Sequence, residues 1–503
     1  MAGLEGPTLL RVHLTDDGIF MKSARTALPG WLYPLLSLAV IYAYWVPRLT
    51  SGFWVDEAGS YWIAHRGFAH VWESLRIYPG QSLVYMHLSS LFAIGGPFKE
   101  VAMRLPSVAA ALVAAWLLFL LTERIAGPGS GYLAVIPFLS AGAIVFAATN
   151  ARPYALGSAV MLASFLSLRE WVHTGSTRQY VIYGLTSSAV VYVHYLFGLI
   201  FLPQALYLLA AHRAGRRISW GRVGGVALFI AAATLPLAWQ MLTIARMAGA
   251  WTTPRPPSVV SFLLLYPSQT IVVVAVGLTL YRFRYPEWFK HATWLAWDDA
   301  VLLLLWMLLG PVIVFTTARV TGYGLFIQRY MIYALLPCFV LIAWALGQVT
   351  NERARFAVLL GLSLNAFVYV FTVGEYDWRT PLEAAEKIVS PDTPMLIQSG
   401  FAESTGIDLR GEPKASSYLF APLVAYPVRN QVIPVPYSLT PASERLVTQQ
   451  VEQQAPHHRK FGLLAIDGTN VEKVLGSWFY EKGYSSTTQR VPGFTLLIFE
   501  KSS

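Results

Sequence analysis

Charge is scarce in this chain, and cysteine is nearly absent. Asp, Glu, Lys and Arg make up 13% of the 503 residues, against about 25% in an ordinary soluble protein. That shortage excludes a soluble enzyme and an intrinsically disordered chain. The single cysteine, Cys338, excludes an intrachain disulfide. There is no Gly-rich phosphate loop, so no nucleotide site is expected, and the histidines show none of the HxxxH or HExxH spacings of a dedicated zinc site. No short apolar core with a small-residue cleavage site stands near the start, so no cleaved signal peptide is expected. The net charge is +10, but the basic residues are scattered, which argues against a nucleic-acid partner. No repeat of solenoid period is visible.

What the chain does have is apolar length. Hydrophobic residues make up 55% of it, with 17 Trp and 26 Tyr, side chains that favour membrane interfaces. Its mean hydropathy is +0.50. Apolar runs long enough to cross a bilayer fall near 29–48, 104–123, 131–149, 154–170, 179–193, 195–211, 222–244, 259–281, 299–318, 329–348 and 355–373, about eleven in all. Of the 64 charged residues, 26 fall in the last 130. That break in composition marks a domain boundary. The expected organisation is a cytoplasmic tail (1–28), a transmembrane domain (29–374) with a first outer loop (49–103), and a small soluble α/β domain (375–503).

The run Gln81–Gly96 is short and holds His87 and several hydroxyls. If it lies in the interface, the loops carrying Lys22/Arg25, Arg169/Arg178, Arg213/Arg216/Arg217, Arg282/Arg284/Lys290 and Arg353/Arg355 share one side. The positive-inside rule makes that side cytoplasmic. The first loop and the C-terminal domain then face outward from an inner (plasma) membrane. In the C-terminal domain, Thr380–Glu383 reads as a capping box opening a helix through Ile388. Strands are expected at Met395–Gln398, Phe461–Ile466 and Phe494–Phe499, with helices at Ser443–Gln454 and Asn470–Lys482.

The same parity places five polar segments on the outer face: Asp56-Glu57, Arg152-Pro153-Tyr154, His194-Tyr195, Gln328-Arg329-Tyr330 and Asp377-Trp378-Arg379. Polar residues gathered at span ends on one face point to a shared cavity. Asp56 and Glu57 fit a general base. They also fit an N-cap before Ala58 with an acidic first turn behind it. Adjacent helical positions diverge by about 100°, so one carboxylate at most faces a substrate, and Asp56 is the better placed. Arg104, Arg152 and Arg329 suit a lipid-borne phosphate through paired guanidinium bonds, or headgroup contacts. Tyr154, His194, Tyr195 and Tyr330 either line the cavity or sit in the interfacial belt.

These segments together resemble the GT-C superfamily of membrane glycosyltransferases, in particular bacterial relatives of the protein O-mannosyltransferases and the aminoarabinose transferases. The resemblance is carried, in order, by Trp54-Val55-Asp56-Glu57, the stretch Tyr78–Tyr85 (an "HPPLYY"-like element lacking its histidine and one proline), Arg104-Leu105-Pro106-Ser107, Ala151–Leu156, Val193-His194-Tyr195, Gln328-Arg329-Tyr330 and Tyr376–Arg379. It covers roughly residues 30–390. No second carboxylate stands at the family's other acidic position, where Asn150-Ala151-Arg152 is found.

The resemblance implies transfer of a sugar from a polyprenyl-phosphate donor to a hydroxyl on a glycan, lipid or protein at the outer face, with inversion. Asp56 would be the base, with Glu57 beside it. Arg104, Arg152 and Arg329 would hold the phosphate. No cofactor is implied, and a divalent metal is left open. A flippase or transporter of lipid-linked sugars and a non-catalytic assembly protein are the alternatives. A transporter should show inverted repeats or paired broken helices, and an assembly protein needs no acidic pair in the first loop.

Overall fold

The computed structural model describes residues 28–501 except 79, 252–255, 267–276, 278, 280–281, 286–293, 323, 325, 373–376, 407–408 and 410–412. The expected tail before residue 28, most of the run 259–281, Pro79, Lys290 and Tyr376 lie outside the described residues.

The apolar runs expected as spans are largely helical among the described residues. Among the described residues, seven helical segments are long and apolar enough to cross a membrane, including Lys99–Ala126, Tyr154–Thr174, Trp220–Ile244, Trp297–Thr321 and Gln328–Gly347. The chain is thus a polytopic helical membrane protein with a small C-terminal sheet domain. An eighth span, expected as one helix over 131–149, is broken at Ala141 into Gly131–Ser140 and Gly142–Thr149, bent by 71°. Ala141 adopts extended backbone there. The Trp45 indole N–H donates to Leu139 O at the bend, 3.1 Å away.

Helices Tyr154–Thr174 and Trp297–Thr321 both end on left-handed glycines, Gly175 and Gly322, the residue type that adopts this cap without strain. Small side chains on Lys99–Ala126, such as Ala110, Ala111, Ala114 and Ala115, are buried in the bundle core, where small residues allow close helix approach. At the basic end of the bundle, Arg169 makes two bonds to Asp299 (2.7 and 2.8 Å) and Arg216 Nε lies 3.0 Å from Asp298. These pairs tie Tyr154–Thr174 and the loop after residue 213 to the start of Trp297–Thr321.

The first loop is helical. It carries Val55–Ala64, Val71–Ile77 and Leu83–Ser90. The last is 8 residues long and rises about 12 Å, well short of the ~30 Å hydrocarbon core.

The C-terminal domain is one five-stranded sheet: β1 (Met395–Gln398), β2 (Val432–Val435), β3 (Lys460–Ile466), β4 (Tyr484–Val491) and β5 (Phe494–Lys501), in the order β2-β1-β3-β5-β4. β1 runs parallel to β2 and β3, and β5 antiparallel to β3 and β4. The two-residue period of a strand sends alternate side chains to opposite faces. Leu396, Leu463, Leu497 and Phe499 pack with Val447, Val451, Leu475 and Phe479 of helices Pro441–Gln454 and Val471–Glu481. Ile397, Leu464, Phe494 and Leu496 face the other way, into a core shared with Phe53, Ala58, Trp62 and Leu75 of the first loop. The sheet domain is therefore docked on the loop.

Polar contacts hold the same seam. Arg379 donates to Thr50 O (2.6 Å), and Tyr426 donates to Glu100 (2.8 Å) while accepting from Phe53 N (2.7 Å). The helix at this seam starts at Arg379 and not at a Thr380 cap: Asp377 accepts from the Thr380 N–H at 2.8 Å, so Asp377 supplies the capping that the sequence reading gave to Thr380.

We expect the first loop and the sheet domain to share the outer face. In a Cys338→Ala background, an impermeant thiol reagent should label Ala69→Cys and Thr488→Cys from outside and spare Ala214→Cys. Labelling of Thr488→Cys only after permeabilisation would refute this sidedness.

Candidate active site

Helix Val55–Ala64 begins after Trp54, whose extended backbone starts it without any side-chain cap. Asp56 is thus its second residue and not its cap, and Glu57 its third. The helical turn sends the two carboxylates apart, and they meet different partners.

Glu57 is fully buried. Arg104 grips it with two bonds of 2.8 and 2.5 Å, and the Ala151 N–H donates to it at 2.7 Å. The remaining Arg104 donors go to the carbonyls of Arg48, Leu49, Ser51 and Gly52. Helix Lys99–Ala126 starts a full turn before Arg104, which carries the guanidinium under the loop. Two of the expected site residues thus pair with each other: Arg104 has its donors committed inside the protein, and Glu57 is its buried counter-ion.

Asp56 stays partly open, with 18% of its side chain exposed. Two guanidiniums converge on its Oδ2: Arg329 at 3.3 Å and Arg152 at 3.8 Å. Arg152 is buried. Its Nη1 donates to Gln81 Oε1 (2.7 Å), with longer bonds to Asp56 O and Ser60 Oγ. Arg329 lies over the rings of Trp54 and Tyr330, 5.4 and 5.5 Å from their centroids, and the Trp54 indole donates to Asn150 at 2.6 Å. Tyr154, His194 and Tyr330 form one aromatic group behind the arginines, with centroids 5.0 to 6.2 Å apart. Tyr195 is half-buried in the following 3-10 turn and has no part in those ring contacts. Among the described residues, Arg152 Nε, Arg329 Nε, the Tyr154 hydroxyl and His194 Nδ1 are buried without a hydrogen-bond partner. Such groups are costly to leave unpaired, and here they gather around one carboxylate.

The sheet domain roofs this site. A Cβ on Gly59 would fall 2.8 Å from the Tyr418 hydroxyl, and one on Gly400 2.7 Å from Val55, so both glycines are required by close approach. Tyr418 lies flat on Tyr78, centroids 3.7 Å apart, and its hydroxyl is 3.4 Å from Gln81 Nε2. A relay thus runs from the sheet domain through Tyr418 and Gln81 to Arg152. Gln81 sits inside the HPPLYY-like stretch and opens the run Gln81–Gly96, its signals in the sequence. Tyr418 and Gly59 gave none.

A family model described as dolichyl-phosphate-mannose-protein mannosyltransferase matches residues 82–239. No curated protein matches at a significant level. Among solved structures, ArnT from Cupriavidus metallidurans bound to undecaprenyl phosphate is similar at a TM-score of 0.54 and 12% identity, over 94% of this chain and 98% of that one. The apo state of ArnT gives 0.55 and 13%, over 93% and 98%. At such identities the likeness is one of fold. The chain has the fold of the GT-C membrane glycosyltransferases. The motifs that suggested GT-C interlock in space: Glu57 with Arg104 and Ala151, and Tyr85 with Ser107, whose hydroxyl donates to Arg152 O at 3.1 Å.

Among the described residues, one group of metal-ligand type lies elsewhere in the bundle, at its basic end: His173, Asp298 and Asp299. Arg169 and Arg216 already neutralise both carboxylates there, which does not suit a cation.

Glu57→Gln should destabilise the protein by about 3–5 kcal/mol, because it strands the buried Arg104 charge. Arg104→Met should also destabilise, since it strands both the Glu57 charge and the carbonyls of Arg48, Leu49, Ser51 and Gly52. Thermal unfolding in detergent measures both, and an unshifted midpoint for Glu57→Gln would show that the pair is not the clamp described.

Proposed function

We propose that this protein transfers a sugar from a polyprenyl-phosphate donor to an acceptor hydroxyl at the outer membrane face. The observation that carries this is the convergence of Arg152 and Arg329 on the half-open Asp56, each with a buried N–H still unpaired. Guanidiniums aimed this way match a phosphate group. The match to the mannosyltransferase family model, and the likeness to an ArnT structure bound to undecaprenyl phosphate, support a donor of this class.

The chemistry follows from the charges. The lipid phosphate takes the N–H groups of Arg152 and Arg329 that otherwise point at Asp56. Released from them, the Asp56 carboxylate accepts the proton of the acceptor hydroxyl. The oxygen attacks the anomeric carbon from the side opposite the phosphate, and the bond from that carbon to the phosphate oxygen breaks. The configuration inverts, and the leaving oxygen takes the electron pair while the two guanidiniums stabilise its charge. The buried Arg152 is held in aim by Gln81, so little reorganisation is needed at the moment of reaction.

Arg152→Ala with Arg329→Ala should weaken undecaprenyl-phosphate binding by about 100-fold, two charge-assisted contacts being lost. The paired Arg→Lys changes should recover only part, since lysine lacks the planar fork. Unchanged affinity in the double alanine variant would remove the phosphate role.

Asp56→Asn should fold normally and bind undecaprenyl phosphate at least as well as the wild type, because the arginines lose a competing anion. Its transfer rate from a radiolabelled polyprenyl-phosphate sugar should fall by about 10²–10⁴, the usual worth of a general base. Near-normal transfer would end the assignment.

A further inference from the structure

Arg152 and Arg329 meet the same Asp56 oxygen, but they are held in different ways. Arg152 is aimed by the hydrogen bond from its Nη1 to Gln81 Oε1, 2.7 Å long. Arg329 has no such bond among the described residues. Its guanidinium carbon lies 5.4 Å from the Trp54 ring centroid and 5.5 Å from that of Tyr330. Its Nε is buried without a partner, and its nearest approach to Asp56 is 3.3 Å. Aromatic faces attract a cation at such distances, and that attraction uses up none of its N–H donors.

The Trp54 ring is itself fixed. Its indole N–H donates to Asn150 Oδ1 at 2.6 Å, and Asn150 Nδ2 donates to Phe146 O at 2.7 Å. Phe146 stands in the last turn of Gly142–Thr149, where carbonyls lack partners within the helix. The buried Asn150 amide thus serves one group as acceptor and the other as donor. A carboxylate in its place would have no N–H for the carbonyl. That is a physical reason for asparagine at the position where the sequence shows no second carboxylate.

A guanidinium free to close on a carboxylate bonds it as Arg104 bonds Glu57, at 2.8 and 2.5 Å. An incoming phosphate would have to break such bonds. We propose that Trp54, set by Asn150, is a positioning residue that holds the Arg329 guanidinium short of closing on Asp56. The arginine then stays available to a phosphate, and the carboxylate to an acceptor hydroxyl. This rests on the donor reading given under Proposed function, and it extends that reading to two uncharged residues outside the trio of Asp56, Arg152 and Arg329.

The test is a double-mutant cycle on the full-length protein in detergent, read as affinity for undecaprenyl phosphate. Trp54→Leu should weaken binding about tenfold, because Arg329 then closes on Asp56. In the Asp56→Asn background no carboxylate competes for the arginine, and the same change should cost less than twofold. Asn150→Ala leaves the Trp54 ring in place and removes only its anchor. It should cost about threefold alone and lose that effect in the Asp56→Asn background, so it carries the comparison if Trp54→Leu does not fold. A general loosening of the site would cost the same in both backgrounds. Equal losses therefore overturn the proposal, as does an unchanged affinity for Trp54→Leu or Asn150→Ala alone. Failure of the wild type to bind undecaprenyl phosphate would instead overturn the donor reading beneath it.

Discussion

Arg104 and Glu57 bury a full positive and a full negative charge together, and such a pair is tolerable only when nearly every lone pair and N–H around it is used. Meeting that demand draws the loop 48–52, the helix Val55–Ala64, the helix Lys99–Ala126 and the backbone of Ala151 to one point. The positions of Asp56 and Arg152 follow, because each is the immediate neighbour of a residue in this knot. The site is thus aligned by a hydrogen-bonding requirement one residue away from the chemistry. The sheet domain then closes over it through an interface with no room for a side chain at Gly59 or Gly400.

Two adjacent carboxylates with opposite fates illustrate how a helix separates structure from reactivity. Glu57 is neutralised by a partner whose other donors are already taken up by backbone carbonyls. Asp56 is neutralised by two partners that a phosphate would also attract. The difference lies in burial and in whether the partners' remaining donors are already satisfied: those of Arg104 are, and Nε of both Arg152 and Arg329 is not.

Much of the architecture was legible in the sequence because helices in a bilayer need long apolar stretches and little else. The strands at 395–398, 460–466 and 494–501 were also legible, being short apolar runs buried on both faces of the sheet. The edge strands were not. β4 reads Tyr-Ser-Ser-Thr-Thr-Gln-Arg-Val, a polar edge with no hydrophobic alternation, and β2 contains Pro434, which only an edge position tolerates. The break at Ala141 was hidden within an unbroken apolar run. At the site, parity and charge brought out Asp56, Arg152 and Arg329 because all three stand at helix ends on one face. The same reasoning grouped Arg104 and Glu57 with them, since nothing in a linear sequence shows that two charges satisfy each other. Tyr418 lies more than 300 positions from Gln81 and is placed there by tertiary packing alone.

The bend at Ala141 carries a consequence for reach. The segment Gly142–Thr149 has 8 residues and would climb about 12 Å if it continued straight, but turned by 71° it climbs only about 4 Å along the axis of the segment before it. Asn150, Ala151 and Arg152 therefore stand about 8 Å less far along that axis than an unbroken helix would leave them. The Trp45 indole, by taking up Leu139 O at the bend, makes that shortfall a fixed feature of the bundle. On the donor reading, the Arg152 guanidinium is withheld from the end that a straight helix would reach, and both the phosphate and the acceptor have to come to it there.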